Sequence, residues 1–97
     1  MKIICVGQNY LEHIKELSNV KPKEPLVFLK PDTALISKGR SFFIPNFSKE
    51  IHYELEVVIK IKKPGRYIER KYSNQYYDEI TVGIDFTARD LQKKLRE

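Results

Sequence analysis

Hydrophobic and polar positions alternate most regularly over residues 51–62, IHYELEVVIKIK. The odd positions are Ile51, Tyr53, Leu55, Val57, Ile59 and Ile61; the even ones are His52, Glu54, Glu56, Val58, Lys60 and Lys62. A period of two places alternate side chains on opposite faces, so this is a long strand with one apolar face that calls for burial. Residues 2–6 (KIICV) and 26–29 (LVFL) are short apolar runs and predict buried strands. Gly7 ends the first and Lys30-Pro31 stops the second. Residues 80–86 (ITVGIDF) predict a further strand, with Gly83 a bulge or a point of close approach. Residues 41–47 read as extended, with Pro45 limiting their pairing.

Helical spacing is weaker. Tyr10, Ile14 and Leu17 share one face of a helix over 10–17 that Asn9 can cap. Residues 74–79 predict a short helix. A last helix over 88–96 has Thr87 as its cap and Asp90 in its first turn. Strands joined by long connections dominate, which predicts an α+β chain, mostly β.

A length of 97 residues predicts a single small domain. No apolar run approaches 18 residues, so no membrane helix is expected, and the start MKIICVG is too short for a signal-peptide core. The single cysteine, Cys5, excludes an internal disulfide framework and a cysteine-based zinc site; it is expected to be buried and inert. Together these features predict a reducing, cytoplasmic setting with no membrane partner. The net charge of +5 has one local excess, at Lys62, Lys63, Arg66, Arg70 and Lys71. Such a cluster can touch phosphates, but no nucleic-acid motif accompanies it, so a solvated loop and no nucleic-acid partner are expected.

Glu54 and Glu56, at i and i+2 on the long strand, point to one face roughly 7 Å apart, and His52 shares that face. Two such carboxylates stay charged when solvated or when bridged by a cation. Oxygen donors favour a hard ion such as Mg²⁺, Mn²⁺ or Ca²⁺. Asp85, at the end of the next strand, either completes a three-carboxylate site or starts the following turn. His13 and Glu16 form an H-x-x-E pair in which a carboxylate can orient an imidazole for general-base work; an exposed amphipathic helix gives the same spacing. Arg89 and Gln92, three apart on the last helix, can hold a carboxylate substrate.

Taken together, IICVGQNYLEHIKEL (3–17), EPLVFLKP (24–31), HYELEVVI (52–59) and VGIDFTARDLQ (82–92) resemble the fumarylacetoacetate hydrolase family, in particular its short acylpyruvate hydrolase-like members. The E-x-E pair followed 29 residues later by Asp, and D-x-T-A-R-D-x-Q, are the specific elements. The resemblance implies the family's mixed, mostly β roll, here as the N-terminal part of its catalytic domain. It implies Mg²⁺ or Mn²⁺ held by Glu54, Glu56 and Asp85, water activation by His13 and Glu16, and contacts from Arg89 and Gln92 to a 2-oxo or 2,4-dioxo acid. The implied reaction is hydrolysis of a C–C bond in acylpyruvate-type acids through a metal-stabilised enolate, in a homodimer. Isomerisation, hydration or decarboxylation of 2-oxo diacids on the same site, or a structural role for an inactive fragment, are the alternatives. Gln8 departs from the arginine common at that position. The family's second half, with its lysine and its Gly/Thr-rich loop, has no counterpart in these 97 residues.

Overall fold

The computed structural model describes residues 1–10, 14–15 and 22–96. The chain divides into two compact units, Met1–Phe42 and Phe43–Glu97. In the first, β1 (Ile3–Gly7) pairs antiparallel with β2 (Leu26–Lys30), Cys5 standing opposite Phe28. Gly7 closes β1 as its spacing predicts. The Ile14 amide donates to the Tyr10 carbonyl at 3.0 Å, one helical turn, and Ile14 is buried. Cys5 is half-buried rather than enclosed, because this two-stranded ladder is too small to cover it.

The second unit is built on β3 (Ile51–Ile61) and β4 (Tyr77–Ala88), an antiparallel ladder from Ile51–Ala88 to Ile61–Tyr77. α1 (Arg89–Arg96) follows without a loop. β4 begins three residues earlier than the apolar pattern suggests. Tyr77, Asp78 and Glu79 carry no hydrophobic alternation, yet β3 is long enough to pair them, and Lys60 meets Glu79 across the ladder at 3.5 Å. The irregularity in register falls at Lys60–Ile61, not at Gly83. The short helix expected at 74–79 is instead a 3₁₀ segment, Arg70–Gln75, which ends where β4 needs extended backbone. Residues 41–47 join no ladder.

The basic cluster forms the β3–β4 connection. Lys62 pairs with Asp78 (3.6 Å) and Lys71 with Glu69 (3.4 Å), while Lys63 lies over the Tyr76 ring at 4.6 Å. Tyr67 sits there with a φ of 50°.

The two faces of the β3–β4 ladder are covered in the opposite sense to the sequence expectation. The apolar face (Tyr53, Leu55, Val57, Ile59 and Ile61, with Ile80, Val82, Ile84 and Phe86) is exposed, while His52, Glu54, Glu56 and Asp85 on the other face are half-buried. Alternation shows which face is apolar; covering it takes another layer, and the described residues of Phe43–Glu97 provide none over this face. Among the described residues no helix is long and apolar enough to cross a membrane.

Candidate metal centre

The period of β3 sets Glu54 and Glu56 on one face, and the antiparallel register brings Asp85 directly opposite Glu54. Gly83 stands opposite Glu56. A Cβ at Gly83 would lie 2.9 Å from the Val58 Cγ2, so this is the close approach its sequence position suggests. Each of Glu54, Glu56 and Asp85 offers a carboxylate oxygen within 4.8 Å of the others.

This donor set fits a hard divalent cation. Oxygens bound to one ion at about 2.0–2.6 Å lie at most about 4–5 Å apart, a span comparable to the separation of these carboxylate oxygens. The guanidinium of Arg89 lies beside this group of half-buried carboxylates. Its Nη2 donates to the Glu54 Oε1 at 2.5 Å, with side-chain exposures of 10% for Arg89 and 22% for Glu54. Mg²⁺, Mn²⁺ and Ca²⁺ all suit all-oxygen donors.

Arg89 is aimed by the start of α1. Its amide donates to the Glu50 carbonyl at 2.9 Å. Its neighbour Asp90 accepts the hydroxyl of buried Ser48 at 2.6 Å on one carboxylate oxygen and the Lys49 amide at 3.0 Å on the other. Asp90 also accepts the Leu91 amide at 2.9 Å, and the Glu50 amide donates to the Ser48 Oγ at 3.2 Å. The Ser48 hydrogen bond, aided by the Lys49 and Leu91 amides and opposed by burial, holds the Asp90 carboxyl below its ordinary value of 3.8. α1 begins at Arg89, so Thr87 remains in β4.

Of the residues singled out in the sequence, the structure brings together Glu54, Glu56, Asp85 and Arg89. Gln92 is half-buried one turn beyond Arg89 on α1. His52 lies on the carboxylate face opposite Thr87, its Nε2 3.3 Å from the Glu50 Oε1. His13 and Glu16 lie outside the described residues. Ser48 was not legible as part of this arrangement, since 42 residues separate it from Asp90. The only local signal was an acidic residue in the first helical turn.

Comparison with known proteins places this chain among relatives. Residues 2–97 match the family model described as fumarylacetoacetate (FAA) hydrolase C-terminal. The chain is 40% identical over 91 residues to a mitochondrial oxaloacetate tautomerase of Arabidopsis thaliana, covering 94% of this chain and 41% of that protein. It is 44% identical over 92 residues to a mitochondrial oxaloacetate decarboxylase of Dictyostelium discoideum, covering 94% of this chain and 42% of that protein. The crystal structure of a fumarylacetoacetate hydrolase family protein from Yersinia pestis superposes with a TM-score of 0.89 at 34% identity, covering 98% of this chain and 44% of that one. The chain thus spans about two fifths of the length of the curated relatives it matches. A mostly β fold, an E-x-E pair facing an aspartate across a ladder and a match over residues 2–97 converge on one assignment: the chain belongs to the fumarylacetoacetate hydrolase family.

Proposed function

We propose that this chain supplies the metal-binding part of a divalent-metal-dependent enzyme acting on 2-oxo acids. Its reaction is cleavage of a C–C bond in acylpyruvate-type 2,4-dioxo acids by way of an enolate. The observation that carries the reading is the approach of Glu54, Glu56 and Asp85 to within 4.8 Å beside the guanidinium of Arg89. A bound Mg²⁺ or Mn²⁺ supplies Lewis-acid stabilisation of the enolate charge. Glu54, Glu56 and Asp85 hold that ion. Arg89 and Gln92 orient the anionic acid from α1. By the family resemblance His13, with Glu16 as its partner, would take a proton from water, whose oxygen adds to the 4-carbonyl. Breakage of the C3–C4 bond leaves a carboxylic acid and pyruvate in its enolate form, which is then protonated.

The names of two relatives, an oxaloacetate tautomerase and an oxaloacetate decarboxylase, favour a second reading. At the same site, a 2-oxo diacid would be tautomerised by way of its own enolate, or would lose CO₂ to give the enolate of pyruvate, which is then protonated, and no water needs activation. In either reading the enzyme works as a homodimer in a reducing compartment such as the cytosol.

The test follows acetylpyruvate and oxaloacetate spectrophotometrically in the presence of Mg²⁺. Turnover lost in Glu56→Gln supports the metal-dependent reading, and the preferred acid decides between the two reactions. Turnover that Glu56→Gln leaves unchanged overturns both.

A further inference from the structure

We propose that Ser48 and Asp90 are positioning residues that aim Glu54 at the metal by way of Arg89; the inference rests on the metal-binding reading above. The contacts form a closed ring. The Ser48 hydroxyl and the Lys49 amide grip the two oxygens of Asp90, fixing the 48–49 segment to the first turn of α1. The Arg89 amide is tied to the Glu50 carbonyl, and the Arg89 guanidinium holds the Glu54 Oε1. Glu54 lies in β3, four residues beyond Glu50, so the ring returns to its start through strand backbone.

Within this ring, the backbone of Arg89 is located from two sides, by its own amide and by its neighbour's carboxylate. A long, flexible side chain keeps its end group on one carboxylate oxygen only if its root is fixed, because otherwise its rotamer freedom is restored. Groups that orient a ligand without touching the metal commonly govern affinity by about 10- to 100-fold. The Ser48 hydroxyl is buried and its bond to Asp90 is 2.6 Å. The hydrogen bond therefore joins two segments at a buried hydroxyl and a part-buried contact.

The guanidinium has two opposed effects on a bound cation, aiming Glu54 and repelling positive charge. A single Arg89 variant therefore decides nothing, and a double-mutant cycle is required. The probe is Mn²⁺ alone, titrated into the full chain, with free Mn²⁺ read by electron paramagnetic resonance. Ser48→Ala is expected to weaken Mn²⁺ binding by about tenfold in the wild-type background. In the Arg89→Met background the same change is expected to cost less than about twofold, because the path to Glu54 is already cut. Asp90→Asn, which keeps an acceptor for Ser48 but sets an amide nitrogen against the Lys49 N–H, is expected to repeat this pattern. An equal loss in both backgrounds, or no loss from Ser48→Ala in the wild type, overturns the proposal while leaving the metal reading standing, provided Glu56→Gln abolishes binding. Wild-type protein that binds no Mn²⁺ overturns the metal reading and the proposal together.

Discussion

Glu54 and Asp85 are paired directly across the β3–β4 ladder, two carboxylates in the position where a sheet ordinarily sets opposite charges or apolar partners. Six residues closer to the connection, the same pair of strands makes the ordinary choice. Lys60 lies on the Glu54 side of β3 and meets Glu79 at 3.5 Å. Like charges facing each other across a ladder are destabilising by up to about 1 kcal/mol. Arg89 brings a guanidinium to Glu54, within a cluster that also contains Glu56. Facing carboxylates oppose the ladder, and in the proposed metal-binding reading a divalent cation would neutralise them.

Asp85→Asn is accordingly expected to separate stability from ligand binding. It removes one charge and one metal donor while keeping the shape. The melting temperature without metal should not fall. The upward shift produced by saturating Mn²⁺, about 2.7 kcal/mol at a hundred times Kd for the parent chain, should disappear. Differential scanning calorimetry with and without Mn²⁺ measures both. A variant that melts lower without metal and still responds to Mn²⁺ would place Asp85 in a structural role.

The parts of this site that were legible in the sequence are those fixed by local periodicity. Alternation over 51–62 placed Glu54 and Glu56 on one face, and the strand ending near Asp85 supplied the third carboxylate. The start of β4 was not legible, because Tyr77–Glu79 are extended by the ladder of β3 rather than by any pattern of their own. The Ser48–Asp90 bond was hidden for a related reason, since a contact across 42 residues leaves no mark in either local segment. Burial was the least legible property. The apolar face of β3 was marked by its residues, but whether anything covers it depends on a layer those residues do not specify.

Acid stability should reflect Asp90. Its carboxyl is held below 3.8 in the folded chain, chiefly by Ser48 and then by the Lys49 amide. The folded state therefore binds that proton less readily than the unfolded state does. The contribution is fully present above the unfolded value and is lost as the pH falls from about 3.8 through the lower folded value. Circular dichroism followed through an acid titration is expected to show a shallower loss of structure below pH 4 in Asp90→Asn, although that variant starts from a lower stability at pH 7. Parallel acid curves for the two proteins would show that Asp90 makes no such contribution.

Tyr67 carries a cost that a substitution can remove. It has a φ of 50° and is 90% exposed. A bulky residue at positive φ costs about 1–2 kcal/mol, whereas asparagine enters that region more easily. The compensating contact is the Arg66 guanidinium 4.9 Å from the ring centre, worth about 0.5–1 kcal/mol at an exposed site. The balance favours Tyr67→Asn by about 0.5 kcal/mol, an increase of about 2–4 °C in melting temperature for a chain of this size. A decrease would mean that the ring and its cation contribute more than the backbone strain costs.

The exposed face of the β3–β4 ladder should govern the solution behaviour of the chain. Leu55 and Ile84 are paired across it and are 67% and 57% exposed. Tyr53, Val57 and Val82 extend the same surface. A contiguous apolar patch of this kind binds hydrophobic dyes and drives association, since each Å² removed from water contributes about 25 cal/mol. Replacing Leu55 by Lys together with Ile84 by Glu removes the centre of the patch and substitutes an opposite-charge pair, which a ladder accepts at facing positions. The double variant should keep the far-ultraviolet spectrum of the parent, lose most of its anilinonaphthalene sulfonate fluorescence, and sediment with less dependence on concentration. Dye binding and sedimentation identical to those of the parent would show that this face is already covered in solution.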